Sequence, residues 1–330
     1  MPIPAIPAIR RRPAMVSSAG LALLFLALCS RVSAGEVWIP LGYLGTAPVA
    51  GSVGGVKAIS AGYGIVLTLK QDGRVVTWGA GSNNGQGQVP LAAESGVSAI
   101  AVAAGSSYAL KNGQVLYWGG NYRVLPDAVQ SGVTAIAAGG DHALALKAGS
   151  VIAWGTDDFG ESTIPSGLSG VTAIAAGYYH SLALSGGAVV AWGWNDFGQC
   201  TIPTAATNGV SAIAGGWLFS VALKNGGVIT WGGYVPTVPA EATQDITAIA
   251  AGDSHVLALT SAGGVIAFGD NFHGQCQVPA GALSNVIAIA AASNYSLALK
   301  VDGSLLAWGY DIHGAVTVPA AIAGSTSLAQ

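Results

Sequence analysis

The sequence predicts an all-β protein, a seven-bladed β-propeller built from four-stranded antiparallel blades. One observation is an aromatic-Gly pair that ends the central run of each of seven repeats. A second observation is that each repeat contains runs of strand length separated by Gly, Asn and Asp. Periods near forty residues with several short strands are typical of propellers, with a solenoid of stacked repeats as the alternative. The pairs begin at Trp78, Trp118, Trp154, Trp192, Trp231, Phe268 and Trp308, with gaps of 40, 36, 38, 39, 37 and 40 residues.

The elements of one repeat are clearest in residues 171–203. The first run consists of small residues, which suits strands that converge on the propeller axis. The third run ends in the Trp, farther from the axis, where blades diverge and a large side chain fills the gap. The turn between the second and third runs is an Asp-Gly or Asn-Gly pair at 72–73, 112–113, 225–226 and 302–303. Such pairs accept the positive φ of a tight hairpin, so we expect a hairpin there.

The first 34 residues are predicted to be a signal peptide. Arg10, Arg11 and Arg12 precede an apolar stretch, and the small residues that follow end at Ala34, where we place the cleavage site. We therefore expect a secreted or periplasmic protein. The longest uninterrupted apolar run, residues 21–29, is too short to span a bilayer.

The remaining residues divide by their phase in the repeat. Trp38 lies 40 residues before Trp78, so residues 35–55 are a partial repeat and a candidate strand for closing the ring. We assign residues 56–320 to the propeller and residues 321–330 to a disordered tail.

Three histidines are explained by the repeat itself. His142, His180 and His255 open the second run, and a position that also accepts Ile or Phe is a packing site. The residues that we align with them in other copies are Ile65, Tyr108, Phe219 and Tyr295.

No cofactor, metal or catalytic site is predicted. His273 and His313 share a loop position in adjacent repeats, where we expect them to be too far apart to share a metal. Cys200 and Cys276 are equivalent in non-adjacent repeats, so we predict two free thiols. No nucleophile elbow or phosphate loop occurs, and we predict that the chain is not an enzyme.

One end of the ring has the composition of a protein-binding face. This top end carries the connections between first and second strands and those between successive repeats. It is rich in aromatic and acidic residues, which also argues against nucleic acid as a partner. The alternative is that these aromatics only cap the blades. The predicted protein-binding residues are Tyr63, Asp158, Phe159, Tyr178, Tyr179, Trp194, Asp196, Phe197, Trp217, Phe272 and Tyr310.

The phrases AIAAG, HSLAL, VIAWG and FGQ resemble the repeats of the regulator of chromosome condensation family. The phrase SGVTAIAAG at 131–139 and the TIP and TVP endings also resemble secreted seven-bladed propellers that inhibit β-lactamases. This second resemblance implies that aromatic and acidic top residues clasp a protruding loop and helix of the enzyme. The basic tail and inserted wedge of the chromatin regulators have no counterpart here, so nucleotide exchange is not expected.

These observations predict an exported, non-catalytic and monomeric propeller that binds another protein. A β-lactamase or a penicillin-binding protein is the most specific partner that the resemblance implies. Two alternatives stay open at this point, a structural or adhesion module of the cell envelope and a propeller enzyme that acts on a polymer.

Overall fold

The computed structural model of the chain describes residues 55–79, 85–120, 124–311 and 313–319. The predictions for the signal peptide, the partial repeat and the C-terminal tail concern residues outside these ranges, apart from Gly55.

The described residues form seven antiparallel sheets of three strands, and each sheet is one repeat. The prediction of an all-β protein with seven units is confirmed. In chain order the strands are β1–β3 at Val56–Ala61, Ile65–Lys70 and Val75–Gly79; β4–β6 at Val97–Val102, Ser106–Lys111 and Gln114–Gly119; β7–β9 at Val133–Ala138, His142–Lys147 and Ser150–Gly155; β10–β12 at Val171–Ala176, His180–Ser185 and Ala188–Gly193; β13–β15 at Val210–Gly215, Phe219–Lys224 and Gly227–Gly232; β16–β18 at Ile246–Ala251, His255–Thr260 and Val265–Gly269; and β19–β21 at Val286–Ala292, Tyr295–Lys300 and Leu305–Gly309.

The seven sheets close into a ring through their first strands. Each first strand packs against the first strand of the next sheet, and β19 of the last sheet packs against β1 of the first. The small side chains predicted for this position are buried, as at Ala175 and Ala176. The arrangement is that of a seven-bladed propeller whose first strands surround the axis.

The prediction of four strands per blade is wrong for the described residues, where each blade has three. The segment after the third strand, where a fourth strand was expected, forms turns followed, in five connections, by a short 3-10 segment such as Thr204–Ala206. Pro203 lies just before that segment and has no N–H for a sheet ladder. The connection instead lies against the next blade, where the indole Nε1–H of Trp231 donates to the carbonyl of Gln199 at 2.9 Å.

The described C-terminal residues complete the first blade in the same way. The indole of Trp78 donates to the carbonyl of Ala315 at 3.1 Å, across 237 positions of sequence. Ala315, Val316 and Val318 are buried in one core cluster with Val56 and Trp78. The first and last blades are therefore joined by the segment that follows β21. Whether residues 35–55 add a closing strand stays a prediction, since only Gly55 is described.

The hairpin turns agree with the prediction in part. Asn112 and Gly113 have φ of 51° and 78°, and Asn225 and Gly226 have φ of 52° and 79°, as a two-residue turn requires. At residues 71–74 and 301–304 only the Gly has positive φ, because four residues separate the strands there.

The alignment of Tyr108 with the histidines is wrong by two residues. In the strand register, Ser106 pairs with Gly119 as His180 pairs with Gly193, so Ser106 is the equivalent residue. The sequence alignment chose Tyr108 because its aromatic side chain matches Phe219 and Tyr295 in the other copies.

Cys200 and Cys276 are free thiols, as predicted. Burial raises the pKa of each thiol to about 12, so both are protonated at neutral pH. No helix in the described part of the chain has the length and apolar character needed to cross a membrane.

Candidate functional site

At the top end, hydrogen bonds between histidine and serine side chains connect neighbouring blades. His180 Nε2 lies 2.9 Å from Ser220 Oγ, and both side chains are fully buried. The Ser220 hydroxyl donates its own proton to the carbonyl of Gln199 at 2.8 Å. The imidazole must therefore be the donor in the pair, which assigns the proton to Nε2. The same pair recurs as His142 with Ser181 at 2.9 Å and His255 with Ser296 at 3.0 Å.

The two positions of this pair vary together along the chain. Where Phe219 replaces the His, the next blade has Val256 in place of Ser, and Tyr295 is likewise followed around the ring by Val66. Ile65 is the exception, since Ser107 follows it and donates to the carbonyl of Gln86. The histidines are packing residues, as predicted, but the serine partner was missed. Comparing each His with the second strand of the next copy could have found it.

This pairing predicts a coupling that a double-mutant cycle measures. Ser220→Val alone leaves the buried Nε2–H of His180 without an acceptor, which we expect to cost about 2 kcal/mol of unfolding free energy. Adding His180→Phe removes that donor and recreates the Phe219 and Val256 combination. The double variant should recover at least half of the loss in urea denaturation. Additive losses from the two changes would contradict the pairing.

The connections between blades are rigid turns that position aromatic rings. In the fourth blade, Asn195 Oδ1 accepts from the Cys200 N–H at 2.8 Å, and Gln199 Oε1 accepts from the Phe197 N–H at 3.1 Å. In the third blade, Asp157 and Glu161 make the equivalent bonds. The FGQ phrase is therefore a turn motif that fixes the backbone at the ring-bearing residue.

Six aromatic residues from the third to fifth blades and their connections form one continuous surface, here called the aromatic patch. Along it, ring centroids lie 5.0 Å apart for Phe159 and Tyr179, 5.4 Å for Tyr179 and Trp194, and 5.2 Å for Trp194 and Phe197. Most of these contacts are edge-to-face, the favoured geometry for aromatic pairs. The patch consists of Phe159, Tyr178, Tyr179, Trp194, Phe197 and Tyr234.

Tyr234 is the member of the patch absent from the predicted site. Its ring lies 6.1 Å from that of Phe197, and 79% of the residue is exposed. Its φ of 51° is rare for a residue with a side chain. The sequence contained a signal, since Tyr234 is an aromatic residue in a top connection.

The other predicted aromatic residues lie outside the patch. Phe272 and Tyr310 are brought together by His273, whose ring lies 5.0 Å from the first and 4.2 Å from the second. His273, and not Phe272, is the equivalent of Phe197, because its N–H donates to Gln275 Oε1 in the same turn. Tyr63 packs on His313 at 5.4 Å. The eleven predicted residues thus form separate groups around the ring.

The charge of the top end is negative next to the patch. Asp158 and Asp196 are exposed and directly precede the patch rings Phe159 and Phe197. The described Lys and Arg residues lie at the opposite end, where Lys224, for example, donates to the carbonyl of Ala205. A partner that docks on the patch therefore meets carboxylates and no basic side chain from the described residues.

A cavity of about 590 Å³ opens beside the patch, and Tyr234 belongs to both. Trp217, one of the predicted binding residues, lines this cavity and does not belong to the aromatic patch. Asp253 also lines it, and the residue is only 9% exposed. Burial raises the pKa of the Asp253 carboxyl well above its ordinary value. Within the described residues, no group of three His, Cys, Asp or Glu side chains could hold a metal ion.

Residues 171–199 and 246–275 match the regulator of chromosome condensation (RCC1) repeat. They cover the fourth and sixth blades from the first strand to the connection that follows the third. The predicted resemblance to the regulator of chromosome condensation repeats is confirmed. No curated protein sequence has significant similarity to the chain.

Two solved structures with TM-scores above 0.5 share the fold of the chain. The CRINKLY WD40 ectodomain of the Arabidopsis thaliana receptor kinase ACR4 matches 79% of this chain and 97% of its own, at 19% identity and a TM-score of 0.60. Human WBSCR16 matches 78% of this chain and 95% of its own, at 18% identity and a TM-score of 0.55. Yeast RCC1 (Prp20), solved with Kap60 bound, matches 77% of this chain and 70% of its own, at 21% identity and a TM-score of 0.46.

Proposed function

We propose that this chain is an exported, non-catalytic propeller that binds another protein through the aromatic patch. The observation that carries the proposal is the continuous contact of six aromatic rings at the top end, from Phe159 to Tyr234. Aromatic side chains dominate the centres of protein interfaces, where they bury large areas at small entropic cost.

The rings and the neighbouring carboxylates of the patch limit the kind of protein surface that could bind there. Asp158 and Asp196 lie beside rings of the patch, so a complementary surface is apolar with basic residues around it. The repeats resemble those of secreted propellers that inhibit β-lactamases. On that resemblance we propose a β-lactamase or another penicillin-recognising enzyme as the specific partner.

Export is a separate part of the proposal with its own test. The apolar stretch after Arg10 to Arg12 and the small residues up to Ala34 support cleavage by a signal peptidase. Mass spectrometry of the protein from its native source should find Gly35 as the first residue, in the secreted or periplasmic fraction. Recovery of the whole chain from the cytoplasm would contradict export.

The binding proposal predicts a loss of affinity when the patch is truncated. Immobilised protein is titrated with a panel of β-lactamases and penicillin-binding proteins, and proteins captured from the native source are identified in parallel. Replacing Trp194 and Tyr234 together by Ala should cost about 2 kcal/mol or more of binding free energy. The melting temperature of each variant is measured to establish that folding is intact.

A matched control lies at the other end of the ring. Leu91 is a large exposed side chain on a connection near the hairpin end, and Leu91→Ala should leave affinity unchanged. If a different protein binds the parent and not the double variant, the patch remains the binding surface, but the β-lactamase is no longer the proposed target. Equal binding by the double variant and the parent would overturn the proposed surface.

A further inference from the structure

The cavity beside the aromatic patch has the chemistry of a site for a basic side chain. Its walls combine the rings of Trp217 and Tyr234 with the carboxyl groups of Asp253 and Asp270. None of the described residues that line it is basic. The volume of about 590 Å³ is within the range of ligand-binding pockets.

Two buried polar groups in the cavity wall lack partners within the described part of the chain. One is Asp253 Oδ1, an acceptor, and the other is the indole Nε1–H of Trp217, a donor. The backbones of the same residues are bonded, since the Trp217 N–H donates to the Asp253 carbonyl at 3.3 Å. Asp270 is engaged at its Oδ2 by the Gln275 amide at 2.7 Å. The unused hydrogen-bonding capacity is therefore concentrated at Asp253 and Trp217.

An unpaired carboxyl and an unpaired indole N–H are costly when buried, so a ligand that satisfies both gains affinity. Burial favours the protonated form of the Asp253 carboxyl. A cation bound beside it favours the carboxylate instead and makes the strongest hydrogen bond to it. Aromatic walls favour the same charge, because the negative face of a ring attracts a cation. The indole calls for an acceptor, which the backbone carbonyl beside a basic side chain supplies.

We propose that this cavity receives an arginine or lysine side chain of the protein partner, with the cation on Asp253 and a neighbouring carbonyl of that partner on the Trp217 indole. The identity of the ligand as part of a protein rests on the proposed function. The cavity adjoins the patch at Tyr234, so a protein seated on the patch places its edge over the opening.

Other occupants fit the wall less well. An anion would meet two carboxyl groups and one N–H. A metal ion such as Ca²⁺ prefers six or more oxygen ligands, whereas this wall is largely aromatic and carries a donor. A neutral ligand would leave the Asp253 carboxyl with only an uncharged donor.

The test uses the full protein and small probes, and so does not require the protein partner. The indole N–H resonance of Trp217, assigned by Trp217→Phe, is followed while N-acetyl-arginine methylamide or N-acetyl-lysine methylamide is added. We expect a saturable shift with at least one of the two. N-acetyl-citrulline methylamide has the shape of the arginine probe without its charge and should bind at least tenfold more weakly.

Substitution of the carboxyls separates the site from general attraction to an acidic surface. Asp253→Asn should weaken binding of the cationic probe at least tenfold, while Asp158→Asn, an exposed top residue, should change it less than twofold. A response to CaCl₂ alone, an equal response to citrulline, or no response would overturn the cation site. A positive probe result with no protein partner found would retain the site and refute only the proposed function.

Discussion

Replacing two of the histidine–serine pairs by Phe and Val should make the protein far less sensitive to acid. The variant carries His180→Phe with Ser220→Val and His255→Phe with Ser296→Val, the combination that Phe219 and Val256 already show. Between pH 7 and pH 5 the parent is expected to lose about 4 kcal/mol more unfolding free energy than this variant. Urea unfolding of both proteins across this range measures the difference.

The sign of the effect follows from burial. Burial lowers the pKa of His180 from 6.5 to about 3 and that of His255 from 6.5 to about 4. Below pH 6.5 the unfolded chain therefore binds protons that the folded chain excludes. The stability contributed by each neutral imidazole is complete above pH 6.5 and is lost at about 1.4 kcal/mol per pH unit as the pH falls towards the folded value.

A comparison of variants is needed because another group acts in the opposite direction. Burial raises the pKa of Asp253, so the folded protein holds a proton that the unfolded chain has released. Acidification above pH 4 stabilises the fold through this group. Since Asp253 is present in both proteins, its effect cancels in the difference. Parallel stability curves for parent and variant would contradict the role of the buried histidines.

Gly177→Ala should be among the most damaging single substitutions in the chain. A methyl group on Gly177 would lie 2.0 Å from His180 Cε1 and 2.1 Å from its Nδ1, well inside contact distance. The ring is buried and held by Ser220, so it has no free space to enter. We expect a loss of about 3 kcal/mol or failure to fold, measured by thermal and urea unfolding.

Two variants keep this prediction open to contradiction. Gly281→Ala places a methyl near the flexible end of Leu306, 3.1 Å away, and should cost less than about 1 kcal/mol. In a His180→Ala background the ring is absent, so Gly177→Ala should add little further loss. The same large loss in that background would show that the ring contact is not the cause.

The repeat and its strands could be predicted because their signals are local. Apolar runs, Asn-Gly turns and a period near forty are each visible within a few tens of residues, and they placed the strands of residues 171–193. The count of strands per blade could not be predicted in this way. A four-stranded blade was expected from the period near forty, but whether the residues before Pro203 join a ladder depends on the neighbouring blade.

The sequence predicted which kinds of residue form the candidate site, but only partly where they lie relative to one another. Phe159, Tyr179 and Trp194 were identified as top-end aromatics, yet nothing in the sequence stated that their rings touch. The exposure of Tyr234 and the burial of Asp253 depend on how the connections pack around them, which the sequence does not state.

The sequence by itself determined the class of this protein, seven similar β units with aromatic and acidic residues in the connections at one end. Those properties depend on periodicity and on turn chemistry, which act between residues close in the chain. Only the tertiary structure decided that Ala315 completes the first blade, that His180 pairs with Ser220, and that the described residues leave Asp253 Oδ1 without a hydrogen-bond partner. These contacts join residues about forty to more than two hundred positions apart, so they exist only once the ring has closed.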